Sequence, residues 1–145
     1  MRILSLTAVL ATLLAPHMAF AHEIKHKGLQ IVHPWTHESG PSSAASAGIS
    51  MIIRNHGTAA DRLVSASTPR AARDQLVAGA RKTFAIAPGQ ELKLDTKTGY
   101  VRLLGLTKTM YAHDNFPLTL IFEKAGRVDV EVQIEEARVQ EPHKH

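Results

Sequence analysis

The residues best equipped for chemistry in this chain are its histidines, nine among 145 residues, in a sequence that has no cysteine. Imidazole suits Cu(II), Zn(II) and Ni(II), and without thiolates any metal must be held through nitrogen, oxygen or methionine sulfur. His22 is the most telling position. If a leader is removed after Ala21, His22 becomes the first residue, and its free amine and imidazole form a chelating pair for one Cu(II). His26 lies four residues on, and His33 and His37 follow around the end of a first apolar segment. His143 and His145 flank Lys144 at the other end, where two imidazoles and a carboxylate can take up a divalent ion weakly. If the two ends met, four or more imidazoles would converge.

Met110 and His113, three residues apart, offer one thioether and one imidazole as a second choice. Each candidate has an ordinary alternative. His22–Gly28 reads equally as a solvated polar arm, and the final residues as a disordered tail. His113 and His56 read as exposed. Met51 alternates with Ile49 and Ile53 and belongs to a core. Catalytic patterns are missing: there is no Gly-x-Ser-x-Gly elbow, no His-Glu-x-x-His and no phosphate loop. Glu135 and Glu136 fall on opposite faces of any strand that reaches them, so they are not a carboxylate pair. The expectation is a binding protein, not an enzyme.

The elements that must position these side chains are strands. Between Phe116 and Ile134, Leu118, Leu120 and Phe122, then Val128, Val130, Val132 and Ile134, recur with period two around a turn at Lys124-Ala125-Gly126. The second arm is apolar on one face and acidic or amide on the other, as in a hairpin with one face on a core. Ahead of it, Leu29–Val32 reads as a strand ended by Pro34, Thr36–Ser46 as a loop, and Ala47–Asn55 and Asp61–Ala66 as strands. Lys82–Ile86 and Glu91–Leu94 read as a pair around Ala87-Pro88-Gly89-Gln90, and Tyr100–Leu106 as another strand. Thr68–Ala80 has no clear period and fits a helical turn or an irregular crossing. About eight short strands at this spacing indicate an all-β antiparallel sandwich or small barrel.

Residues 1–21 carry Arg2, an apolar run and Ala19-Phe20-Ala21, the pattern of a cleaved secretory signal. The run is shorter than the ~20 residues of a spanning helix, so no membrane span is expected after cleavage. The mature chain divides into one domain at 22–137 and a short His-containing tail at 138–145. Removing Arg2 takes the formal net charge from +4 to +3, with acids and bases interspersed. That balance, with Trp35, Tyr100 and Tyr111 away from basic clusters, argues against a nucleic-acid surface.

His22-Glu23-Ile24-Lys25, His33-Pro34-Trp35, Asp61-Arg62-Leu63-Val64, Ala87-Pro88-Gly89, Gly99-Tyr100, Leu104-Gly105-Leu106 and Pro117–Gly126, in this order and spacing, resemble the PCu(A)C family of periplasmic copper chaperones. The resemblance implies a cupredoxin-like Greek-key sandwich in the periplasm. It also implies Cu(I) binding through His and Met, with transfer into cytochrome c oxidase assembly. It further implies four ligands that this chain lacks: Val101 stands where a His is expected, Leu103 where a Met is expected, and the span from Asp74 to Gly89 has neither His nor Met. The expectation is therefore a periplasmic copper-binding, chaperone-like protein with a non-standard site drawn from His22, His26, His37, His143 and His145. With few methionines left, Cu(II) is expected over Cu(I). The other reading is a protein that binds no metal and keeps the fold as a docking partner for oxidase assembly proteins or an oxidase subunit.

Overall fold

A computed structural model describes residues 23–39 and 46–137. The expected signal at 1–21, the cleavage point before His22, part of the 36–46 loop and the tail at 138–145 lie outside them. The described chain is all β, with ten strands: β1 (Glu23–His26), β2 (Leu29–His37), β3 (Ser46–Asn55), β4 (Asp61–Ser67), β5 (Ala71–Val77), β6 (Phe84–Ile86), β7 (Glu91–Leu94), β8 (Tyr100–Leu106), β9 (Asn115–Phe122) and β10 (Gly126–Glu135). They form one curled sheet in the order β5-β8-β3-β2-β10-β9-β4-β6, with β1 added to β2 and β7 to β3. The β9–β10 hairpin is inserted between β2 and β4, which is the Greek-key step. Every pairing is antiparallel except β2 with β10.

The alternating residues behave as their period requires. Leu118, Leu120 and Phe122 on β9, and Val128, Val130, Val132 and Ile134 on β10, are buried, and they share one core with Ile49, Met51 and Ile53 of β3. Fully burying each such side chain contributes roughly 1.5–3 kcal/mol.

Four expectations change. Glu23–His26 is a strand rather than a loose lead-in, because its backbone pairs with Leu29–Val32 through a tight turn at Lys27-Gly28, where both φ angles are positive (46° and 82°). β2 does not stop at Pro34. The register against β3 shifts between Val32 and Trp35, and this bulge takes up the missing proline N–H, so the strand runs on to His37. The segment without a clear period is β5, an edge strand on β8. β6 and β7 do not pair with each other. β6 joins β4 and β7 joins β3, the turn between them carrying the chain across. The strand count is thus ten instead of eight among the described residues, with the expected architecture.

Candidate metal centre

The bulge in β2 decides what its second half displays. His33 takes φ +47°, a conformation that residues with a Cβ rarely adopt, and its side chain is exposed. Beyond it, β2 turns Thr36 inward, where its hydroxyl donates to the Gly48 carbonyl at 2.9 Å. Trp35 is half-buried on the outer face, with the His33 ring stacked 6.4 Å from it and the His37 ring edge-on at 4.8 Å. Three aromatic rings thus stand in a row along one strand.

The parallel neighbour β10 brings carboxylates to this row. Gln133, Ile134 and Glu135 pair with Trp35, Thr36 and His37. His33 Nε2 lies 2.7 Å from Glu135 Oε1, and His37 Nδ1 lies 3.2 Å from the Glu136 carbonyl oxygen. A third imidazole arrives from the loop before β9: His113, at φ +71°, places Nε2 3.1 Å from Glu136 Oε1. The end of β10 is then tied back to β2 by the Ala137 N–H donating to Glu38 Oε1 at 3.1 Å. Three imidazoles and two glutamates therefore meet at one end of the sheet as neighbouring pairs. Among the described residues, no three His, Asp or Glu side chains converge as a metal chelate.

The other sequence candidates separate. His26 sits at the far end of β1, with Nε2 3.2 Å from the Ala125 carbonyl oxygen. With Leu29 as its partner, it is about 25 Å of strand away from His37. His26 and His37 therefore cannot share an ion. Met110 is a core residue at 1% exposure, and His113 points away from it toward Glu136, so they do not form a pair of ligands. His22, His143 and His145 lie outside the described residues. His33 and Glu135 were not singled out as ligands by sequence. The signal was there: His33, Trp35 and His37 are spaced by two, as residues on one strand face must be.

The positions where the resemblance implies copper ligands are closed. Val101 and Leu103 on β8 have 0% exposure. Val101 is flanked by Ile49 and Leu76, and Leu103 by Ala47 and Asp74, in the strands on either side. These are packing residues of the core, with no donor atom to offer.

Comparisons with known proteins agree with this architecture. The LpqE-like family matches residues 29–134. Among solved structures, the apo PCuAC domain of PmoF1 is 25% identical, covering 80% of this chain and 100% of that domain, with a TM-score of 0.75. The copper-bound PCuAC domain of PmoF2 is 23% identical over 80% of this chain and 99% of that one, with a TM-score of 0.72. Apo-DR1885 from Deinococcus radiodurans, at 18% identity, covers 94% of this chain and 96% of its own, with a TM-score of 0.57. These last two show the fold. No curated protein matches the chain.

Proposed function

The chain belongs to the LpqE-like branch of the PCuAC family, and from that premise we propose that it is an extracytoplasmic, copper-binding, chaperone-like protein whose metal site is built on histidines. The anchor is His22, exposed as the first residue by removal of the leader, with its amine and imidazole both on the ion. One observation carries this reading. Glu23 is the antiparallel partner of Val32, the residue directly before the exposed His33. His33 brings its own orienting group, because Nε2 is engaged by Glu135 and Nδ1 is left for the metal.

Amine and imidazole nitrogens favour Cu(II) over Cu(I). His37, on the same face of β2, and His143 and His145, named from the sequence alone, are the further donors of this reading. His26 drops out: it ends β1 at the opposite end from Glu23, with its ring on the Ala125 carbonyl. The copper bound to the PCuAC domain of PmoF2 supports the cargo assignment. Delivery into cytochrome c oxidase assembly is the family role that this fold would serve in the periplasm.

A second reading is favoured by Val101 and Leu103. With the implied ligand positions filled by core side chains, the protein would act as a metal-free docking partner in the same assembly process. Titration of the processed protein, beginning at His22, with Cu(II) and with Cu(I) under reductant separates the two. The expected result is one Cu(II) per chain, lost when one extra residue caps the His22 amine. Binding no stronger than that of free histidine would overturn the metal reading and leave the docking role.

A further inference from the structure

The charge of this protein is unevenly divided along its chain. From residue 70 to residue 108, eight Lys and Arg stand against three acids, a formal excess of +5; from 109 to 137, two stand against six, a deficit of −4. None of those eight cations makes an ion pair among the described residues. The three acids of the basic stretch are occupied otherwise. Glu91 pairs with Arg54 at 2.6 Å, Asp95 accepts from Lys97 and Thr98 in its own turn, and Asp74 lies in register with the buried Leu103.

Within this basic stretch, the paired strands β5 and β8 carry a built arrangement on their outer face. Tyr100 lies over Gly48, where even a Cβ would come within 3.0 Å of its ring. Arg102 stacks on Tyr100, its guanidinium carbon 5.6 Å from the ring centroid, and donates to the Tyr100 hydroxyl from Nη2 at 2.7 Å and Nε at 3.2 Å. Arg73 is the diagonal neighbour of Arg102 across the two strands, with the half-buried Leu104 opposite it. Gly48, Tyr100 and Arg102 form a fixed stack, so Arg102 loses little further side-chain freedom on binding. Tyrosine and arginine around an apolar spot are the composition of an interface centre.

We propose that the outer face of β5 and β8, centred on Tyr100, Arg102 and Arg73, is a docking surface for a protein partner that presents clustered carboxylates. Guanidinium groups take carboxylates in bidentate fashion, and an uncompensated positive field steers an acidic partner toward them. A lipid surface fits less well. The single large exposed apolar side chain among the described residues is Tyr111, which lies in the loop before β9 and not on this face.

The full processed chain would be titrated with a poly-L-glutamate peptide, and in parallel with phosphatidylglycerol vesicles and with poly-dT. Arg73→Glu with Arg102→Glu should weaken the peptide complex about tenfold or more. Lys124→Glu, in the β9–β10 turn, should change it less than twofold. Arg73→Glu alone, at an exposed position, keeps the test valid if the double variant unfolds, and Arg102→Lys should give an intermediate loss because lysine cannot reproduce the fork on Tyr100. Equal losses for Lys124→Glu and the Arg variants would overturn the proposal, as would preferential binding to vesicles or to poly-dT, or an interaction met by a second copy of this chain.

Discussion

β8 and the second half of β2 lie in the same sheet, separated by β3, and have opposite relations to solvent. On β8, the residues at the positions where the family resemblance implies ligands, Val101 and Leu103, face inward at 0% exposure. On β2, His33, Trp35 and His37 face outward, and Glu135 of β10 meets the His33 imidazole while His37 lies against the Glu136 carbonyl oxygen. Such a fold can keep its core whichever of the two strands carries the proposed chemistry. Filling a site with Val and Leu costs the scaffold nothing, since those side chains add apolar contacts, and imidazoles on an outer face disturb no packing.

The largest test of this contrast is Leu103→Ala. A fully buried leucine beside Ala47 should lose about 2–5 kcal/mol of stability on truncation, read as a lower midpoint in urea, while Cu(II) affinity of the folded fraction stays unchanged. A selective loss of copper binding would return the site to β8. Next in size is His33→Ala, expected to weaken Cu(II) binding about tenfold, or about 1.4 kcal/mol, without lowering Tm appreciably. Trp35 is the only tryptophan and stands 6.4 Å from the His33 ring. Its fluorescence should therefore be quenched by Cu(II) in the parent protein and much less in the variant. Quenching of equal depth at equal copper would break the assignment to β2.

Two carboxylates sharpen the same contrast through pH. Burial pushes the Asp61 carboxyl up, but the N–H groups of Lys124, Arg62 and Ala125, with the Lys124 charge, outweigh it and hold the pKa below the usual 3.8. A lowered pKa in the folded state means a contribution that is present above the usual carboxylate value and lost as pH falls through the folded one. Because Asp61 is partly exposed, Asp61→Asn should cost at most about 1 kcal/mol at pH 7. The gap to the parent should close in strong acid; a gap that stays constant with pH would refute the linkage.

Asp74 has the reverse sign. Burial pushes its carboxyl up, against a smaller pull from the Thr68 backbone. A raised folded pKa favours the folded state below the usual carboxylate range, and that advantage is lost as pH rises through the folded pKa. Asp74→Asn should thus raise Tm slightly at pH 7, by less than about 1 kcal/mol equivalent, with the gain fading below pH ~4. A drop in Tm at pH 7 would show that the carboxylate is a stabilising partner after all.

Strands with two neighbours and one buried face were plain in the sequence. β3, β8 and the β9–β10 hairpin had both a full period-two pattern and apolar residues to carry it. β1 and β5 were hidden for one physical reason. Each lies at the margin of the sheet, buries little, and can be built from polar residues such as Glu23-Ile24-Lys25-His26 or Arg73-Asp74-Gln75 whose pairing is supplied by a neighbour far stronger than themselves. β2 was cut short because Pro34 looks like a stop, and only the register shift shows how the strand passes it. That truncation also concealed the candidate cluster. Once β2 continues to His37, His33, Trp35 and His37 fall on one face. Their partner Glu135 comes from 102 residues away through the single parallel pairing, which no local pattern announces.

Asp74 lies on β5, a strand with a neighbour on one side only, in register with a core residue, and its Oδ1 is buried without a hydrogen-bond partner. An open strand border invites other chains to add to it, and a charge turned under that border makes each such addition costly. A carboxylate in this place is expected to oppose strand addition at some cost to the stability of the fold. Its neutralisation should yield a protein that melts later and precipitates sooner.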